Sequence, residues 1–264
     1  MNAPSPDAPV VRIDLNADLG EGFGRWSLGD DQALLDVVTS ANVACGFHAG
    51  DPTIMRRVCA GARERGVVIG AQVSYRDLAG FGRRPISMPI DELTNDIVYQ
   101  IGGLDACARA EGTKVRYVKP HGALNNVSAV DADQARAIVD AVLAVDPSLP
   151  LLVLPGSQLE SQATSAGLQT VSEAFPDRAY EADGQLRSRR LPGAVLHDVA
   201  LITERAVQIA CQGSVSTFDS EPLSLHAQSL CLHGDNVAAL EAARAVARAL
   251  HEAGVTVAPF VGSP

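Results

Sequence analysis

Lysine is nearly absent: Lys114 and Lys119 are the only two in 264 residues. Cationic charge rests almost wholly on arginine, and acids outnumber bases to leave a formal net charge of −10. That sign excludes nucleic acid as a partner, because such a surface needs a basic face to displace phosphate counterions. No apolar run approaches the ~18 residues that a membrane-spanning helix requires, so no membrane partner is expected. Aromatic residues make up only 4%, so a core must be packed from Val, Ile, Leu and Ala.

The five cysteines (Cys45, Cys59, Cys107, Cys211, Cys231) are odd in number and form no Cys-x-x-Cys pair. That is thiol usage of a reducing compartment, with cysteine as a small apolar residue. The opening residues carry prolines, an aspartate and no basic cluster, unlike a secretory leader. The expected location is cytoplasmic. Several catalytic signatures are missing too. There is no Gly-x-x-x-x-Gly-Lys-Ser/Thr phosphate loop, and Gly20-x-Gly22-x-Gly24 lacks dinucleotide-fold spacing. Neither a Gly-x-Ser-x-Gly elbow nor a His-Glu-x-x-His helix occurs.

What is present is a repeated order: helical periodicity, a glycine, then a short apolar run. From Asp51 to Gly66, an Asp-Pro start caps a helix whose face holds Ile54, Met55, Val58 and Ala62. Gly66 supplies a left-handed stop before Val67-Val68-Ile69. The same order leads from Ile90–Ala108 and Gly112 into Val115–Val118, and from Asp131–Asp146 into Leu151–Leu154. It recurs from Leu159–Gly167 into Leu168–Val171, from Asp198–Gly213 into Ser214–Phe218, and from Val237–Gly254 into Val255–Val257. Further strands are expected at Val10–Leu15, Ser40–Cys45 and Ser229–Leu232. Alternation of this kind implies a parallel sheet covered by helices. Seven to nine strands in one uninterrupted domain, residues 1–264, favour a closed α/β barrel, with an open doubly wound sheet as the alternative.

In parallel α/β folds, ligands bind at the carboxyl ends of the strands. Those ends carry Asp14-Leu15-Asn16-Ala17-Asp18-Leu19-Gly20-Glu21-Gly22, Cys45-Gly46-Phe47-His48, Lys119-Pro120-His121-Gly122, Glu173–Arg178 and His233-Gly234-Asp235. Three of the six histidines fall there, each beside a glycine or one residue from it. Histidine and aspartate together serve proton transfer near neutral pH or metal ligation. Arg83 and Arg84, in a glycine loop, suit a carboxylate or phosphate. The plainer readings are that Asp51 and Asp235 cap helices and that His48 and His121 are core residues bonded to backbone.

The runs Asp14–Gly24, Ser40–Pro52, Ser74–Arg84, Val118–Leu124, Asp183-Gly184 and His233–Asn236 together resemble the lactam-utilisation (LamB/YcsF) family, in order across nearly the whole chain. That resemblance implies a distorted seven-stranded TIM-like (β/α) barrel related to glycoside hydrolases and polysaccharide deacetylases. It also implies ATP-dependent opening of the 5-oxoproline lactam to L-glutamate, with magnesium as the nucleotide counterion. The partners implied are 5-oxoprolinase subunits B and C. On this reading Asp18, His48 and His121 are the acid/base groups. Asn16, Glu21, Arg83, Arg84, Lys119, His233 and Asp235 line the substrate pocket. No residue is assigned to a metal, because Gln72 and Val73 stand where the family usually has His-Pro, and an amide is a poor metal ligand. Two alternatives stay open: a stand-alone metal-dependent hydrolase of the deacetylase type, with Asp18, His48 and His121 as ligands, and a non-catalytic 5-oxoproline-binding protein.

Overall fold

The structure, a computed structural model, describes residues 11–232 and 237–262, with the side chains of residues 237 and 238 left aside. The first half of the chain runs β1 (Arg12–Leu19), α1 (Asp31–Leu35), β2 (Ser40–Ala44), α2 (Pro52–Arg65), β3 (Val68–Val73) and α3 (Ile90–Ala110). It continues through β4 (Val115–Pro120), α4 (Gly122–Ser128), α5 (Ala132–Val145), β5 (Leu151–Val153), α6 (Gln158–Ser165) and β6 (Thr170–Ala174). The last part is α7 (Val199–Gln212), β7 (Ser214–Ser216), β8 (Pro222–Ser224), β9 (Ser229–Leu232), α8 (Val237–Glu252) and β10 (Thr256–Val257).

Strands β1 to β6 pair in sequence order, all parallel, and β9 pairs with both β6 and β1. The sheet therefore closes as a seven-stranded barrel, and the open alternative is excluded. The strand expected at Ser214–Phe218 is not part of it: β7 pairs antiparallel with β8 in a hairpin outside the barrel. The strand expected at Val255–Val257 is β10, which adds to the amino-terminal end of β1.

Alternation along the strands sets the character of each face. Ile13, Leu15, Ala17 and Leu19 of β1 join the apolar layer beneath the helices. The intervening Asp14, Asn16 and Asp18 are also buried and face the barrel interior. Polar interior side chains are viable only when hydrogen-bonded, and these are. Asp14 accepts from Thr39 and Ser40 hydroxyls, each at 2.6 Å, and from Ser229. Asn16 donates to Ser229 Oγ at 2.7 Å and accepts from Asn42 at 2.6 Å. Below this layer an apolar plug of Val68, Tyr117, Leu152 and Val171 is capped by Phe260, whose ring meets Tyr117 edge-on at 5.0 Å.

Gly70 of β3 is what lets the Tyr117 ring into the interior. A Cβ at this position would lie 2.1 Å from Tyr117 Cε2, and the phenol is held by its hydrogen bond to Asn42 Oδ1 at 2.6 Å. Gly70→Ala is expected to lower stability by about 1–3 kcal/mol through overpacking. Urea unfolding measures this, and an unchanged midpoint would mean the ring has another place to go.

Candidate functional site

The carboxyl ends of the strands bring Asn16, Asp18, Glu21, His48, Lys119 and His121 together. Lys119, the penultimate residue of β4, stands at the centre. Its ammonium lies 3.2 Å from Asp18 Oδ1 and 2.8 Å from Glu173 Oε1. It also donates to Asn16 Oδ1 at 3.2 Å and to Cys231 Sγ at 2.9 Å. All five residues are buried. Burial pulls the Lys119 ammonium down, but Asp18, Cys231 and Glu173 more than offset it and hold its pKa well above the ordinary lysine value. Burial pushes the Glu173 carboxyl up, with Lys119 opposing.

A layer above, His48 and His121 stack face to face, with centroids 4.2 Å apart and an interplanar angle of 21°. Phe81 presents its ring to both, at 6.0 Å and 5.5 Å. Phe81 has φ 57, a left-handed conformation costly for an aromatic residue, held by those packed rings. The next residue must be glycine: at Gly82 a Cβ would lie 2.8 Å from His48 Cβ and 3.2 Å from His121 Nδ1. A Cβ on Gly122 would lie 2.5 Å from Gly82 O. The Gly-Phe-Gly and His-Gly pairs therefore pack the two site loops against each other. His48 Nε2 lies 3.2 Å from Gln72 Oε1, so the amide sets the ring's orientation. Burial lowers the His48 pKa to about 4, partly opposed by Asp18. Burial and the neighbouring His48 take His121 well below the usual histidine range. Both rings are neutral at pH 7.

Asp18 belongs to two clefts that approach this centre from different sides. One runs from Asp18 and Glu21 to Arg25, Trp26 and Arg57. The other is lined by Arg83, Lys119, His121, Asn125, Arg178 and Arg189 among others.

Several expectations need adjusting. Asn16 and Asp18 lie within β1 and not in a loop after it, because β1 extends to Leu19. Asn16 is committed to the interior network beneath the site. Arg84 is ion-paired with Asp77, whose carboxylate also accepts from Gly80 N at 2.9 Å. Asp51 caps α2 as expected, accepting from Thr53 N at 2.8 Å and Ile54 N at 3.0 Å. His233 and Asp235 lie outside the described residues. Cys231 is not merely a small apolar residue, since it accepts from Lys119. Sequence reasoning misses Glu173 as a site residue although it sits at a strand end; a lone acid beside an apolar run is its signal. In place of Asp18 as the third metal-ligand candidate, the structure sets Glu21 beside the two histidines. Ligand atoms of Glu21, His48 and His121 lie within 4.8 Å of one another. The donor types suit a first-row cation, but the ring planes do not. Lone pairs of two nearly parallel stacked rings, their centroids 4.2 Å apart, do not converge on one point without ring rotation.

The LamB/YcsF family model matches residues 13–263. The chain belongs to the LamB/YcsF family. Relatives within it include a 5-oxoprolinase A subunit of Pseudomonas syringae pv. tomato, 54% identical over 95% of this chain and 98% of the relative. The 5-oxoprolinase A subunit of Streptomyces avermitilis is 58% identical over 94% and 99%. Among solved structures, the lactam utilization protein of Thermus thermophilus superimposes with a TM-score of 0.90 at 44% identity, covering 94% of this chain and all of that one. A putative cellobiose-phosphate cleavage protein of Enterococcus faecalis, at TM-score 0.58 and 12% identity, shares the LamB/YcsF chain's fold alone.

Proposed function

We propose that this chain is the A component of an ATP-dependent 5-oxoprolinase, opening the 5-oxoproline lactam to L-glutamate with partner subunits B and C. The observation that carries this reading is the 54% identity over 95% of the chain to a protein named as a 5-oxoprolinase A subunit.

A five-membered lactam is a resonance-stabilised amide that water attacks slowly at neutral pH. Phosphorylation of the amide oxygen by ATP makes the ring carbon reactive. ADP leaves as the phosphoryl group is transferred. Water then adds to that carbon, which requires a base, and the ring nitrogen takes a proton as the C–N bond breaks to give a glutamyl phosphate, from which a second water releases phosphate to leave L-glutamate. His121 is a neutral base beside Glu21, whose Oε1 lies 3.7 Å from its Nε2. That carboxylate favours the imidazolium once a proton arrives. Asp18 opens onto both clefts and shares the proton-transfer role, while His48 backs the His121 ring. Lys119 holds Asp18 in place and is not the main contact for substrate, since its donors are turned to Asp18, Glu173, Asn16 and Cys231.

The test is glutamate formation from 5-oxoproline and ATP by the three subunits, with and without this chain. Dependence on the chain is the expected result; equal rates without it would remove the assignment. The donor types of Glu21, His48 and His121 leave a second reading, a metal-dependent hydrolase, which would require the stacked rings to rotate before the three donors met on one cation. Protein purified without chelator is expected to hold substoichiometric metal. One equivalent of metal, lost in His48→Ala, would turn the assignment to the second reading.

A further inference from the structure

The wall of the cleft above Lys119 is built from three arginines, Arg83, Arg178 and Arg189, in a chain whose net charge is −10. Arg178 is only 4% exposed. Its guanidinium donates to two backbone carbonyls, Ala194 O at 3.1 Å and Arg187 O at 2.7 Å. Among the described residues no carboxylate lies within ion-pair distance of it. Burial lowers its pKa to about 10; Arg189 and Arg83 push the same way, with Asp177 opposing. Arg205 provides an internal contrast. It is also buried and donates to three carbonyls, those of Pro176, Arg178 and Ser216. Arg205 does not line the cleft, and its role ends as a loop staple. Arg178 is stapled in the same manner yet faces a cleft that two more guanidiniums share.

A buried guanidinium whose partners are neutral carbonyls keeps its full positive charge in a poorly solvated place, and an arriving anion is favoured there. Lys119 beneath it is no competitor for that anion, because its charge is already matched by Asp18 and Glu173. Guanidinium groups present paired N–H donors suited to the two oxygens of a carboxylate or a phosphoryl group.

We infer that Arg178, with Arg83 and Arg189, forms an oxyanion subsite that holds a carboxylate or phosphoryl group of the substrate beside Asp18 and His121. The identification of the carrier as 5-oxoproline rests on the function proposed above; the subsite itself does not. A carboxylate in this position would present the lactam ring to the imidazole layer. A phosphoryl group would be placed there instead if the wall neutralises charge developing on the activated amide oxygen.

Calorimetric titration of the full chain with 5-oxoproline, with 2-pyrrolidinone (the same ring without the carboxylate) and with inorganic phosphate tests this. The variants are Arg178→Lys, Arg178→Gln and Arg189→Gln, each checked for folding by circular dichroism. If the subsite takes the carboxylate, 5-oxoproline binds about 10- to 100-fold tighter than 2-pyrrolidinone, phosphate competes with it, and the folded variants erase the difference. If it takes the phosphoryl group, phosphate binds alongside 5-oxoproline, and the variants weaken phosphate alone. Arg189→Gln keeps the test open if Arg178→Gln fails to fold, because Arg189 is exposed. Wild-type protein that binds neither anion, or folded variants that bind both as wild type does, would overturn the subsite. Failure of the proposed function reads differently: no glutamate from the wild-type complex, with phosphate binding still lost in the variants.

Discussion

Lys119→Met is expected to lower the unfolding free energy by about 3–5 kcal/mol, the cost of leaving buried charge without its partner. The side chain that remains would fill the space, so packing contributes little to the loss. What is lost is a cation held between two buried carboxylates. Asp18 Oδ1 lies 3.2 Å and Glu173 Oε1 2.8 Å from the ammonium, and each carboxylate already raises the proton affinity of the groups around it. Without Lys119 the two acids would face each other across a desolvated interior. One of them then gains a proton more readily in the folded state than in the unfolded chain. A raised folded pKa gives stability that is present at low pH and lost as pH rises. The variant is therefore expected to recover part of its stability between pH 7 and pH 5. Adding Glu173→Gln and Asp18→Asn is expected to restore most of the remainder, because a neutral set carries no unmatched charge. Urea titrations at the two pH values measure both effects. Equal stability of Lys119→Met and wild type at pH 7 would show that the triad is solvated and that its electrostatic role is minor.

That buried triad also marks where the sequence can be read and where it cannot. Helix α2 is legible to the residue: Asp51 caps it, Pro52 opens it, and Gly66 closes it at φ 68. Those signals are local, so they survive without tertiary information. Strand β1 is not legible beyond Leu15. The run Asp14-Leu15-Asn16-Ala17-Asp18-Leu19 alternates as a strand does, yet its polar members look like loop residues when the partners are unknown. The partners are Ser229, Ser40, Asn42 and Lys119, and Ser229 is 213 residues from Asn16. Barrel closure is what makes the polar face tolerable to bury. The short helices α1 and α4 escape the sequence reading because each offers too few residues for periodicity to register. For the site, glycine-flanked His48 and His121 stand out because their loops need glycine to pack. Glu173, Arg178 and Cys231 do not, since their roles arise only from what the closed barrel sets against them.

His121→Asn is expected to reduce the turnover number of the reconstituted enzyme by about 10²- to 10⁴-fold, the usual contribution of a positioned proton-transfer group. Asparagine retains a polar group near Nδ1 but cannot take up a proton in the neutral range and no longer reaches toward Glu21. Asp18→Ala is a poorer test of the same chemistry, because Asp18 also holds Lys119 and Asn42, the latter at 2.9 Å, and removing it disturbs the fold. A structural histidine and a catalytic one also differ in their stability readout. Wild-type His48 and His121 have folded pKa values below that of an unfolded histidine, His48 at about 4. Such groups cost nothing above pH 6.5 and draw protons to the unfolded chain as pH falls toward 4, so stability declines across that window. The His48 shift alone amounts to about 3 kcal/mol at the acid end. Removing His121 takes away its own share of that penalty and relieves the mutual repulsion that opposes protonation of the stacked pair. His121→Asn is therefore expected to be less acid-sensitive than wild type while nearly inactive at pH 7.5. Urea midpoints at pH 7.5 and pH 5, set beside turnover, separate the two roles. Full turnover in a folded His121→Asn protein would remove this residue from the reaction and move the proton transfer to Asp18.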